Sequence, residues 1–321
     1  MEFLLTFYSV FTAMLQIFTI ALCGFLFYKW KLLDKSAITG LSNLSINLFL
    51  PAMIFSHLIK KFSFTDPLDW WLYPFLGMIV CLIGFIVAKV FLQFDKSIVE
   101  KNKLASIVSF QNCGYLPLIL VMSIFPEKQT ALLFTYIFLF IQGYNLIFWS
   151  FGIQFLNSDK KTKFEFKKIL NPPFLALIFA GLILGLNLKT YIPTIFLQST
   201  ELVGGCTLPV ALIVLGSILA ACEGGKAYKL NAVLLIKTVI LKLVVVPTIV
   251  LILVVFLKLP KYMSILLLIE AAMPAAINLS VVSFKQSETC GYITQAVFLT
   301  HVCGIITVPL AIAIMSFFIP L

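Results

Sequence analysis

Ten apolar runs, each about 20 residues long, recur along the chain and are separated by short polar segments. The pattern predicts membrane-crossing helices over 6–28, 40–59, 70–91, 104–125, 130–153, 173–188, 200–221, 232–257, 262–283 and 290–318. Two of these runs are interrupted near their centres. The fourth contains SFQNCGYLPL at 109–118 and the ninth contains EAAMPAAINLS at 270–280. Proline removes a backbone donor and polar side chains are costly in lipid, so such segments must face protein or a polar cavity. By helical rise, Asn112 lies roughly 14 Å beyond Lys103 and Glu270 about 12 Å beyond Tyr262, so both arrive near the midplane.

Sliding the chain over itself tests for duplication. A shift of 158 lays LFLPAMIF (48–55) on CTLPVALI (206–213), and a shift of 157 lays CGFLF (23–27) on AGLIL (180–184). The first shift also carries Asn112 onto Glu270. The expected architecture is therefore an all-α integral membrane protein of two five-helix repeats, 1–157 and 158–321. Because five is odd, the repeats are inverted across the membrane, an arrangement common in secondary transporters.

Composition agrees with a multi-pass membrane protein: 61% of residues are hydrophobic, 11% are charged and the mean hydropathy is +1.09. All 23 basic residues are lysines. Fourteen lie in the loops after spans 1, 3, 5, 7 and 9, and six in the other loops, which predicts that both termini are non-cytoplasmic. The net charge of +10 thus reports topology and implies no nucleic-acid partner. Glu2 is the only charge before residue 29, so the first span reads as a retained helix and not as a signal peptide. The connector NSDKKTKFEFKKILNPP (157–173) reads as a cytoplasmic segment with a short interfacial helix bearing Phe164, Phe166, Ile169 and Leu170. The seven cysteines form no C-x-x-C pair and read as small apolar fillers, and no cofactor or metal site is indicated.

Two broken helices meeting at the midplane offer half-helix ends. Their N-termini attract an anionic group and their carbonyl ends attract a cation. Glu270 is the only acid deep inside any span, where a carboxylate costs about 3 kcal/mol on insertion scales. It is expected to be paired, hydrated or protonated. It is either a coupling residue for a proton or sodium, or one half of a structural pair with Lys242 or Lys237.

At these residues the chain resembles the auxin efflux carrier family, whose bacterial members include malate and malonate permeases. The resemblance is carried by LSNLSINLFLPAMIF in span 2, QNCGYLPL in span 4, NPPFLALIFAGLILGL in span 6, LPVALIVLGSILA in span 7, and EAAMPAAINLSV and TVPLAIAI in spans 9 and 10. It implies a scaffold of spans 1, 2, 6 and 7 and a mobile transport domain of spans 3–5 and 8–10, with helices 4 and 9 crossing at Pro117 and Pro274. It also assigns Asn112 a role in holding a substrate carboxylate. Where plant carriers have a second proline in span 9, this chain has Asn278, and the long loop of many plant members is absent. More distantly, IEAAM (269–273) is similar to the glutamate-bearing helix of the bile-acid sodium symporters.

The expected substrate site is Asn112, Gly114, Tyr115 and Asn278, with Glu270 for ion coupling. Gln142, Asn145, Gln295 and His301, together with Thr300, are supporting candidates that serve equally well as ordinary interhelical hydrogen bonds. Gly181 and Gly185 form a small-residue face on span 6 for close packing or a homodimer contact through the scaffold. There is no G-x-S-x-G, Walker A or H-E-x-x-H motif, so no enzyme is indicated. The function expected is secondary active, elevator-type transport of a small organic anion across the cell's inner membrane. The rivals are an uncoupled facilitator and a membrane enzyme acting on a lipid-linked substrate.

Overall fold

The protein is described from a computed structural model that covers residues 2–61, 70–94, 101–152, 172–223, 232–280 and 291–319. The expected interfacial helix in the 157–173 connector lies outside these residues. Among the described residues, fourteen α-helices carry the fold. They are α1 (Glu2–Lys29), α2 (Lys35–Leu44), α3 (Leu50–Lys61), α4 (Leu72–Phe94), α5 (Lys101–Ser109), α6 (Tyr115–Ile124), α7 (Glu127–Ile147), α8 (Pro172–Gly185), α9 (Thr194–Gly205), α10 (Thr207–Glu223), α11 (Ala232–Ile240), α12 (Val246–Leu257), α13 (Lys261–Ala272) and α14 (Tyr292–Met315). π-helical turns join α2 to α3 over Ser45–Phe49 and α11 to α12 over Leu241–Val245. Each joined pair is thus one long element.

Among the described residues, seven helices are long and apolar enough to cross a membrane: Phe3–Lys29, Lys35–Lys60, Leu72–Phe94, Glu127–Ile147, Thr194–Ala221, Ala232–Leu257 and Tyr292–Met315. They fall on expected spans 1, 2, 3, 5, 7, 8 and 10. The other three expected spans take different forms. Span 6 is the 14-residue helix α8. Spans 4 and 9 do not run through as single helices: span 4 divides into α5 and α6, and in span 9 the helix α13 stops at Ala272. Length alone therefore counts seven where the apolar runs count ten.

The helix ends follow local chemistry. The Asp34 carboxylate accepts the amide of Ala37 at 2.7 Å and caps α2. Pro126, Pro193 and Pro260 stand immediately before α7, α9 and α13, where a missing donor costs nothing. Lys258 ends α12 in the left-handed conformation (φ 50°).

Packing joins the helices into one core. α1 lies along α10 closely enough that a Cβ on Gly24 would come within 2.0 Å of the Ile213 carbonyl oxygen, and Ser217 Oγ donates to the Gly24 carbonyl at 2.9 Å. α3 packs on α8 and α9, and Lys60 forms an ion pair with Glu201 between α3 and α9. α4 packs on α7 and α5, α12 on α13, and α14 against α1, α11 and α13. Many large apolar side chains on the perimeter are exposed, among them Leu22, Ile86, Phe179, Leu182, Ile252 and Phe256. Hydrocarbon is the solvent that makes such a surface stable. The chain is a multi-pass integral membrane helical protein.

Candidate functional site

The centre of the molecule is where α5 and α13 both stop. Pro274 explains the second stop directly. A continued helix would need the amide of residue 274 to reach the Glu270 carbonyl, and proline has no N–H and a ring that clashes there. The Glu270 carbonyl instead accepts the amide of Met273 at 3.3 Å. Pro117 works differently. It is the third residue of α6, in the first turn, where its missing N–H breaks nothing. The interruption expected at Gly114 and Pro117 covers residues 110–114, so it includes Gly114 and ends before Pro117.

The two non-helical stretches run antiparallel and pair with each other, with Gln111 opposite Ala275. Ala276 N donates to the Phe110 carbonyl at 2.9 Å, and Asn112 N donates to the Pro274 carbonyl at 2.8 Å. Each broken helix thus satisfies backbone groups that the other has freed, which lets both sit buried inside a membrane protein. The Ala275 amide donates to Thr300 Oγ1 of α14 at 3.3 Å, and the Pro274 ring lies against Gly304 of the same helix.

Asn112 is 7% exposed, and its amide nitrogen lies 3.4 Å from His301 Nε2. His301 Nδ1 is 2.8 Å from the Val297 carbonyl, which can only accept, so Nδ1 carries the proton and Nε2 accepts from Asn112. One hydrogen of the Asn112 amide is therefore committed to His301, leaving the other hydrogen and the carbonyl oxygen for a ligand. Beside it, a Cβ added at Gly114 would meet nothing within 4 Å among the described residues, its two chain neighbours aside. Open space thus adjoins the N-terminal end of α6, where unpaired amides concentrate positive potential.

At the opposite polarity lie the ends of α5 and α13. Glu270 is fully buried, and neither carboxylate oxygen has a hydrogen-bond partner among the described residues. Gln111 is equally buried, with neither side-chain amide atom hydrogen-bonded among the described residues. In the pair expected as an alternative, Glu270 with Lys242 or Lys237, no hydrogen bond is seen among the described residues. Lys242 Nζ donates instead to the Val108 carbonyl at 3.1 Å, and Lys237 Nζ stands over the Phe91 ring at 6.0 Å.

The remaining candidates scatter. Tyr115 opens α6, and its side chain lies outside the described residues. Asn278 is exposed two residues beyond the pairing stretch. Gln142 is half-buried and donates to the Phe138 carbonyl of its own helix at 2.9 Å. Asn145 and Gln295 are half-buried on α7 and α14. The crossing thus brings Asn112, Gly114, Pro274, Thr300 and His301 together. Sequence reasoning missed the Val108 carbonyl as the partner of Lys242. The available signal was a lysine inside a span, which is costly unless its ammonium has an acceptor.

Among the described residues, two broken helices are joined inside a helical membrane protein, an arrangement that secondary transporters use. Residues 9–165 and 160–312 match the family model described as membrane transport protein, and the chain belongs to this auxin efflux carrier-like family. It is similar to an uncharacterized transporter of Schizosaccharomyces pombe, with 26% identity over 166 residues covering 46% of this chain and 36% of that protein. It is also similar to an uncharacterized transporter of Saccharomyces cerevisiae, with 33% identity over 120 residues covering 36% of this chain and 28% of the other. The matched region thus spans about a third of the length of these curated relatives. Family membership points to a transporter rather than an enzyme.

Proposed function

We propose that the chain is a secondary active transporter of a small organic anion, a carboxylate such as malate, malonate or an auxin-like acid. The observation that carries this reading is that the described residues leave space at the Cβ position of Gly114, beside the Asn112 amide and at the positive end of α6. A carboxylate seated there would receive the free Asn112 hydrogen and the first amides of α6. Glu270, buried and without a hydrogen-bond partner among the described residues, would couple movement to the uptake or release of a cation, which also removes its repulsion of the substrate.

The expected ten spans in two inverted repeats, 1–157 and 158–321, belong to the same reading. So does an elevator motion of spans 3–5 and 8–10 against spans 1, 2, 6 and 7. The packing of α1 on α10 and of α3 on α8 and α9 supports grouping the latter set. Among the described residues nothing lies within 4 Å of a Cβ added at Gly181 on α8, which supports close approach of a second copy to the scaffold. The lysine distribution supports an inner-membrane orientation with both termini non-cytoplasmic.

Uptake of labelled malate, malonate and an indole carboxylate into proteoliposomes, under imposed proton or sodium gradients, tests the reading. Gradient-driven accumulation is the expected result. Equilibration regardless of any ion gradient would favour the uncoupled facilitator, and no uptake of any of the three would overturn the substrate class.

A further inference from the structure

The Val108 carbonyl is an acceptor created by the crossing. In an unbroken helix it would receive the amide of residue 112. Here that amide goes to Pro274, and Val108 becomes one of the uncapped carbonyls at the negative end of α5. Such an end, inside a low-dielectric core and near an unpaired carboxylate, is where a cation is drawn. In this chain it already holds one. Lys242 is fully buried, rises from the π-helical turn Leu241–Val245, and places its ammonium 3.1 Å from the Val108 oxygen.

The turn and the opposing helix both make this contact possible. The extra residue of a π-helical turn re-aims the side chains within it. On the other side, α4 comes so close to this carbonyl that a Cβ at Gly84 would lie 2.6 Å from the Val108 oxygen. The space around the carbonyl is therefore occupied by α4 backbone and the lysine. The titratable groups in electrostatic range of this cluster are Glu270 of α13, Cys81 of α4 and Cys113 of the crossing stretch, with Tyr144 of α7 in range of Glu270.

We propose that Lys242 is the resident counter-cation of the crossing: its ammonium fills the carbonyl end of α5 in place of a metal cation, and so sets the ion specificity of the carrier against sodium. This inference rests on the transport reading only for its consequence. The occupancy of the α5 end stands whether or not an anion moves. Shortening Lys242 to alanine would leave a cavity bordered by the freed Val108 carbonyl and within the field of Glu270. A small monovalent cation is the ligand that fits that chemistry.

The test uses the purified full chain in detergent, without substrate, and compares unfolding temperatures in sodium chloride and choline chloride at equal ionic strength. The native protein is expected to show the same midpoint in both. Lys242→Ala is expected to unfold several degrees lower in choline and to recover saturably with sodium. Lys242→Met, which fills the space without charge, is expected to be destabilised with no sodium response. Sodium stabilisation of the native protein, or indifference of Lys242→Ala to sodium, would overturn the proposal. If Lys242→Ala yields no folded protein, direct binding of radioactive sodium to the native chain decides: binding refutes the proposal and its absence sustains it. Sodium-driven anion uptake by the native protein would sink this inference while leaving the transport reading standing.

Discussion

The backbone amide of Asn112 donates to the carbonyl of Pro274 at 2.8 Å, joining residues that belong to two different broken helices. This bond uses no side-chain atom of Asn112. The architecture of the crossing and the chemistry of the asparagine side chain are therefore separable.

Asn112→Ala should accordingly fold. The lost contact to His301 is an ordinary interhelical hydrogen bond, worth about 0.6 kcal/mol on average. The unfolding midpoint is expected to fall by no more than a few degrees while anion uptake drops at least about tenfold, the equivalent of roughly 1.4 kcal/mol. Size-exclusion profiles and thermal unfolding check the first claim, and proteoliposome uptake checks the second. Uptake at the native rate would remove Asn112 from the site.

Glu270→Gln replaces a buried carboxyl group, which makes no hydrogen bond among the described residues, with a group of the same shape. No hydrogen bond is lost, but the buried Lys242 ammonium loses an electrostatic neighbour, so the unfolding midpoint should shift by only a few degrees. Gradient-driven accumulation should disappear, leaving at most equilibration. A variant that accumulates substrate like the native protein would reduce Glu270 to a structural residue.

Gly84→Ala should destabilise the protein by about 1–3 kcal/mol, the usual cost of overpacking, because the added carbon meets the Val108 carbonyl and Ser109 backbone and neither can retreat without moving α5. Gly40→Ala is the control, since nothing lies within 4 Å of its added carbon. Paired denaturation curves of the two variants test the claim. Equal midpoints would show that the contact between α4 and the end of α5 is loose.

Pro117→Ala should leave the crossing intact, because the proline sits in the first turn of α6 and interrupts no helical bond. Pro274→Ala restores the amide that Glu270's carbonyl lacks, and so favours running α13 through the crossing. The second variant is expected to lose far more uptake than the first. Equal losses would mean that both prolines act by packing alone.

Much of this was legible in the sequence because the bilayer imposes a length on every crossing segment. The runs that became α1, α4, α7 and α14 needed only counting. The break in span 9 was legible too, since Pro274 must end a helix wherever it falls inside one. The break in span 4 was placed correctly but attributed in part to Pro117, whose position within α6 depends on where the chain restarts its helix. That restart is fixed by pairing with residues some 160 positions away. Lys242 was harder still. Its acceptor is a main-chain carbonyl, which carries no residue identity, freed by a break 134 residues earlier in the chain. A charge in a span announces that a partner exists, and an acidic side chain is the natural guess when the true partner is backbone.

The pairing of Gln111 with Ala275 has a mechanical consequence. Two helices that merely touch can slide, whereas two strands laced amide to carbonyl slide only by breaking every lace. The crossing is in effect a rivet through the middle of the protein. On the transport reading proposed above, any displacement that presented Asn112 to one side of the membrane and then the other would carry both riveted segments as a single piece. The cradle that received a ligand on one side would then be the same cradle that released it on the other, and any difference in affinity between the two faces would have to come from the surroundings it travelled through.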